Sequence, residues 1–260
     1  MRGFRKKIVL LQHQLFSMIM LRSLSLLLSA AALLCGCATQ YDIAGNSSIA
    51  EVDGHMLYLR VAGDGVEQIH CSIDSCKVVH GRFRFGGEMD SVVLAQVCLG
   101  NELMMPIVLE NGSMQVSLDP VGQTVVGGEL NKRLYNFLQK RDRLENQLWQ
   151  AEQECIRALR SGKGNIVELH ETLRRRAAKL NRQIEEAETR FVVDNYTNAL
   201  GPGYYIMLCN QQIFPVMTEQ LRRIADEAPD DFFHNPFINN YLHMAGYDFS
   251  QRPRRKPSKR

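Results

Sequence analysis

The chain has 260 residues and carries 31 basic against 28 acidic side chains. Six of the basic residues crowd into Arg252-Pro-Arg-Arg-Lys-Pro-Ser-Lys-Arg260 and five precede residue 37, so the body between them has a net charge of −8. An acidic body argues against a nucleic-acid-binding domain, which needs a basic face, and its length supports one good core plus a second element.

Residues 24–34 form an apolar run behind Arg22 that ends in Leu34-Cys35-Gly36-Cys37. The run is too short to span a bilayer, which takes about 20 apolar residues. Its length and small-residue ending fit a signal peptide. A lipoprotein pathway needs a thiol to take a diacylglyceryl group and a small residue before it for cleavage. Gly36 and Cys37 meet both demands, whereas Leu34 is too bulky to precede Cys35. The expectation is a lipoprotein signal peptide over residues 1–36, with Met18 or Met20 as the alternative start, and lipidation of Cys37 by acyl chains such as palmitate. An uncleaved helical anchor and a plain secretory signal are the alternatives. Two or three acyl chains anchor stably where one is marginal. Membrane lipid, reached through acylated Cys37, is therefore an expected partner. Ala38 and Thr39 follow the cysteine with no Asp between them to suggest inner-membrane retention. The expected location is the cell envelope, on the outer membrane and facing the periplasm.

Residues 37–128 read as a β-domain. Leu57, Leu59 and Val61 alternate onto one face, and Phe83 and Phe85 alternate with Arg82 and Arg84. Further strands are expected over residues 92–98, 104–110, 114–119 and 124–126. Turns are expected at Asp53-Gly54, Gly63-Asp-Gly65, His80-Gly81, Gly86-Gly87 and Asn111-Gly112. Asn-Gly between apolar strands suits a type I′ hairpin. Short strands at this spacing predict an antiparallel β-sandwich, with a small barrel as the alternative.

From Glu129 the period changes. Leu130, Leu134, Phe137, Arg141, Leu144, Leu148, Ala151, Cys155 and Ala158 recur at steps of four and three. After Ser161-Gly-Lys-Gly-Asn165 the stripe resumes with Ile166, Leu169, Leu173, Arg176, Leu180, Ile184, Ala187 and Phe191. This predicts a protruding antiparallel helical hairpin, coiled-coil-like, over residues 129–195. Arg141 and Arg176 interrupt the stripes, so each needs a Glu partner or marks where the seam reaches solvent or a partner. Residues 196–249 read as a short helical connector, broken at Gly201-Pro-Gly203. Within it Thr218 caps one helix and Asn235-Pro236 opens another. The tail over 250–260 is Pro-rich and basic with nothing to bury, so it is expected to be disordered. The fold class is α+β.

No nucleophile elbow, zinc-protease or phosphate-loop motif occurs. Besides Cys37 the mature chain has Cys71, Cys76, Cys98, Cys155 and Cys209, without C-x-x-C spacing, so thioredoxin-type catalysis is unsupported. His70, Cys71, Cys76 and His80 cluster in sequence, but neighbouring strand residues point oppositely and the cysteine spacing is not that of a zinc finger. No metal, no cofactor and no catalytic residue are therefore expected. A Cys71–Cys76 disulfide is a candidate if a hairpin turn at Ile73 to Ser75 opposes the two thiols.

Three stretches carry a resemblance: Ile73-Asp-Ser-Cys-Lys-Val-Val-His-Gly-Arg-Phe-Arg-Phe-Gly86; Pro106-Ile-Val-Leu-Glu-Asn-Gly-Ser113 with Val116-Ser-Leu118; and Val126-Gly-Gly-Glu-Leu-Asn131. They resemble an uncharacterised β-domain, a domain-of-unknown-function family, found ahead of thioredoxin domains in Bacteroides-type thiol:disulfide interchange lipoproteins. Phe191-Val-Val-Asp-Asn-Tyr-Thr-Asn-Ala-Leu200 and Phe232-Phe-His-Asn-Pro236 are similar to the helical connector of those proteins. The thioredoxin domain with its Trp-Cys-x-x-Cys motif is absent here, so redox activity does not carry over. The functional expectation is a non-enzymatic, outer-membrane-anchored lipoprotein that binds or scaffolds a protein partner through the sandwich edge or the hairpin tip. The alternative is an accessory of thiol-disulfide exchange that works with a separate thioredoxin-like chain.

Overall fold

The computed structural model describes residues 39–62, 70–161 and 166–252. The expected signal peptide, Cys37, the turn at Gly63-Asp-Gly65, the hairpin tip at 162–165 and the tail beyond Arg252 lie outside the described residues.

Eight strands are described: β1 (Thr39–Ser47), β2 (Met56–Ala62), β3 (His70–Lys77), β4 (Arg82–Met89), β5 (Val93–Leu99), β6 (Glu102–Leu109), β7 (Gly112–Asp119) and β8 (Gly122–Val126). They form two four-stranded sheets, ordered β4-β1-β7-β8 and β3-β2-β5-β6. All described pairings are antiparallel except β1 with β7. Alternating residues turn inward from both sheets. Ile43, Phe85 and Leu118 meet Leu57, Leu59, Val97 and Ile107 in one core, each essentially inaccessible. This is the sandwich the alternation predicts.

Two local expectations are corrected here. Gly86 and Gly87 do not turn the chain; they sit inside β4 opposite Asp42 and Tyr41. A Cβ at Gly87 would stand 2.8 Å from Tyr41 Oη, so glycine there makes room for a cross-strand phenol. Asn111-Gly112 does not close a hairpin, because β6 and β7 belong to different sheets. It carries the chain between layers, with Gly112 at φ +109°. The primed hairpin geometry falls instead at His80-Gly81, with φ of 51° and 69°, where Val79 and Arg82 exchange backbone hydrogen bonds of 2.9 and 3.0 Å.

Five helices follow. α1 (Glu129–Ser161) and α2 (Ile166–Val193) are the hairpin pair, about 50 and 42 Å long at 1.5 Å per residue. α3 (Leu200–Asn210), α4 (Glu219–Glu227) and α5 (Pro236–Met244) complete the set. Thr218 Oγ1 accepts from Leu221 N at 3.2 Å and Asn235 Oδ1 from Ile238 N at 3.2 Å, so both caps lie where the sequence places them. Gly201-Pro-Gly203 does not break the connector. It forms the first turn of α3, where a missing proline N–H leaves no ladder bond unmade. Gly203 also lets α3 lie against β5, since a Cβ there would overlap Leu94. A second core results. α3, α4 and α5 pack with the base of the hairpin and with Leu94, Val108 and Ala62 of the second sheet.

Candidate functional site

The predicted cysteine pair is not brought together. Cys71 and Cys76 lie five residues apart on one continuous strand paired with β2, about 16 Å along it at 3.3 Å per residue. No turn at Ile73 to Ser75 opposes them; that point carries only a register shift against β2. Both thiols are free, and the candidate disulfide is overturned by the unbroken ladder. Cys71 is exposed. Burial pushes the Cys76 thiol up to about 11, with Asp74 adding to the shift and a backbone hydrogen bond at Arg84 opposing it. Among the described residues no three His, Cys, Asp or Glu side chains converge on a position for an ion.

The junction between sandwich and hairpin is the most organised polar site. Gly127 and Gly128, at φ +108° and +79°, turn the chain out of β8 into α1. Glu110, at the end of β6, accepts from Leu130 N at 3.1 Å and from Asn131 N at 2.8 Å. Its carboxylate thereby satisfies two orphan donors at the positive end of α1. Asn131 is fully buried. Its amide accepts from Val108 N at 2.9 Å and donates to Val108 O at 2.7 Å, as a neighbouring strand would. The outer edge of β6 is closed there by a side chain from the helix. On the other side, Asp74 of β3 accepts from Gly86 N of β4 at 3.1 Å and ties two edge strands together. These contacts leave β8, five residues long, as the sandwich edge the described bonds do not cover. Sequence reasoning noticed Glu110 and Asn131 only inside familiar stretches; Gly-Gly-Glu-Leu-Asn read as a cap with a polar residue in the first turn could have found the clasp.

Past the clasp the hairpin has two halves. At its base Phe137 and Phe191 stack at 4.0 Å, and Tyr204 of α3 meets both edge-on at 5.1 and 5.3 Å. The Tyr204 hydroxyl accepts from Arg141 Nη1 at 2.9 Å and donates to buried Glu188 at 3.0 Å. Gln220 of α4 donates to the other Glu188 oxygen at 3.2 Å. Arg141 Nε stands 3.1 Å from Glu145 without hydrogen-bond alignment. Arg176 pairs with Glu154 across the hairpin at 3.0 Å. Both stripe-breaking arginines thus find glutamates. An open groove of about 770 Å³ runs along the base between α1 and α2, lined by Phe137, Phe191, Lys132, Lys140 and Arg190 among others, with Glu129, Glu186 and Asp194.

Beyond Arg141 the seam is thinner. Leu144, Leu148 and Cys155 are only half-buried, while Trp149 is 59% exposed and Ile156 40%. Those last two lie seven residues apart, on one flank of the same helix.

Residues 41–134 match a protein-family model described as Domain of unknown function (DUF4369). The match runs through the sandwich and ends just past Asn131, so it includes the clasp. No curated protein and no solved structure matches the chain.

Proposed function

We propose that this is a non-enzymatic lipoprotein, held by Cys37 on the periplasmic side of the outer membrane, that binds a protein partner through the distal half of its helical hairpin. The observation that carries the reading is the pairing of a thin seam with an exposed Trp149–Ile156 stripe beyond Arg141. Exposed Trp is a favoured anchor of protein interfaces. Both helices carry charges of both signs there: α1 has Asp142, Glu145, Glu152 and Glu154 with Arg143, Arg157 and Arg160, and α2 has Arg174, Arg175, Arg176, Lys179 and Arg182 with Glu168, Glu171, Glu185 and Glu186. A partner helix laid along the arm would find an apolar line flanked by both signs. The sandwich edge is the lesser surface, because the Asn131 amide and the Asp74 tie already occupy much of it.

The test removes residues 145–186 and joins the ends with a short Gly-Asn turn. The ends stand at nearly equal height, since Glu154 faces Arg176. Circular dichroism and thermal melting of this variant should show both cores folded. Pull-down from a solubilised outer-membrane fraction should lose the partner that wild type retains; an unchanged pull-down moves the binding surface elsewhere. Anchoring is tested separately with a clickable palmitate analogue, which should label wild type and not Cys37→Ala.

A further inference from the structure

The groove at the hairpin base is lined from α1, α2 and the turn after α2, and no described residue of α3 or α4 enters it. Its floor is the stacked pair Phe137 and Phe191. Four cations, Lys132, Arg133, Lys140 and Arg190, stand around that floor, in a body whose net charge is −8. Two cross-contacts set their heights. Arg133 meets Asn195 and Phe137 meets Phe191, so a step of four residues on α1 matches a step of four on α2. Arg190 therefore stands level with the rings, Arg133 about a turn below them and Lys140 about a turn above. The groove's carboxylates flank this belt: Glu129 and Asp194 on the sandwich side of the rings, Glu186 on the distal side.

Two features set this groove apart from a solvated helix face. Arg190 is four residues from both Glu186 and Asp194, the spacing of helical ion pairs, yet it pairs with neither. Lys132 and Lys140 likewise form no ion pair among the described residues. Arg133, in contrast, is held by a buried anchor. Asn195 is 2% exposed; it donates to Phe191 O at 2.7 Å and accepts from Arg133 Nη1 at 2.8 Å. That bond fixes the guanidinium, while its Nε and Nη2 donate to no described residue. A fixed guanidinium with spare N–H groups suits the oxygens of a carboxylate, sulfonate or phosphate. A volume of about 770 Å³ is that of a small-molecule site. We propose that the groove binds a small amphipathic anion, with its flat apolar body over the Phe137–Phe191 pair and its one acidic group on Arg133, Arg190 and Lys140 completing the positive rim. The carboxylates set the ligand's charge: Glu129, Asp194 and Glu186 repel a polyanion or an acidic helix that runs past the rings, and leave room for one anion. Trp149, nine residues on from Lys140, lies on the opposite flank of α1, so this site is separate from the distal stripe.

The experiment titrates the full chain, in a maltoside detergent, with 2-naphthoate and with its uncharged isostere 2-naphthamide, read by isothermal titration calorimetry against a detergent blank. One naphthoate should bind per chain, about tenfold or more tighter than the amide. Arg190→Gln removes a side chain that pairs with nothing in the fold, so thermal melting should stay unchanged. Naphthoate binding should nevertheless weaken about fivefold or more, with amide binding unaltered. Arg133→Gln should weaken naphthoate at least as much, and Arg222→Gln, the same charge change on the exposed face of α4, should leave it as in wild type. Equal affinity for naphthoate and amide overturns the proposal, as does naphthoate binding that both Arg133→Gln and Arg190→Gln leave intact. Absence of naphthoate binding overturns it too, and binding of tripolyphosphate or of a Glu-rich helical peptide in its place would assign the groove to a polyanion or to an acidic protein partner.

Discussion

The two halves of the hairpin carry one apolar period but are buried to different degrees. Toward the base, Leu134 is inaccessible and Phe137 is 8% exposed, with Phe191 and Val192 facing them. Past Arg141 the same stripe continues, yet Leu144 and Leu148 are half-open, and a single row led by Ala151, Leu173 and Leu180 stays covered. The second core takes residues from α1 only as far as Leu138 and from α2 only from Ala187 onward. Periodicity therefore decides which face turns inward, whereas the depth of burial is decided by whether α3 and α4 add a further layer. Two helices alone bury one seam; three or more enclose side chains from several directions.

That comparison makes unequal predictions for equal-looking substitutions. Phe137→Ala removes a stacked ring from an enclosed site and should lower stability by about 3–5 kcal/mol. Leu148→Ala, on the half-open seam, should lower it by only about 1 kcal/mol. Urea unfolding of the two variants decides the matter, and equal losses would mean that the distal seam is as well enclosed as the base. Tyr204→Phe comes next, because it leaves Arg141 and Glu188 without their bridge; we expect a loss of about 1–3 kcal/mol. It also changes the pH dependence. Burial, with Glu188 adding and Arg141 opposing, holds the Tyr204 phenol above its ordinary range. A group raised in the folded state contributes stability that is fully present below about pH 10 and is lost as pH climbs toward the folded value. Wild type should therefore lose stability more steeply than Tyr204→Phe above pH 10. Gly128→Ala tests how the base is attached. At φ +79° its new Cβ would overlap the Glu110 carboxylate, so strain and a displaced cap should together lower stability by about 1–3 kcal/mol.

Much of this architecture is legible in the sequence, and the parts that are not share a cause. The hairpin's start at Glu129 follows from the change of period, and the caps at Thr218 and Asn235 follow from local hydrogen bonding, so local chemistry suffices for them. β1 and β3 escape a reading by alternation. Tyr41 and Ile43 are too few apolar residues to stand out, and a register shift beside Ile73 disrupts the alternation of β3. The misread glycines fail for a related reason. Gly86-Gly87 and Asn111-Gly112 have turn composition, but Tyr41 across the strand and the change of sheet decide what they do. The Arg141–Tyr204–Glu188 network joins residues 63 and 16 apart in sequence, so no window on the chain displays it, although the break at Arg141 signals that something there must pair.

The smallest expected effect uses native thiols as probes of the same two halves. Cys155 sits half-exposed in the distal seam and Cys209 lies 1% exposed in the second core. Burial drives the Cys209 thiol well above its ordinary range, so both access and thiolate fraction protect it. Time-resolved alkylation read by mass spectrometry should modify Cys155 through local opening of the seam, with little dependence on low urea. Cys209 should react only at the rate set by global unfolding, rising steeply with denaturant. Phe137→Ala should accelerate Cys209 and leave Cys155 nearly unchanged, since it weakens the enclosed half alone. Should Cys155 and Cys209 become reactive together in wild type, the hairpin opens as one cooperative unit with the second core, and the two halves do not differ in local stability as their burial implies.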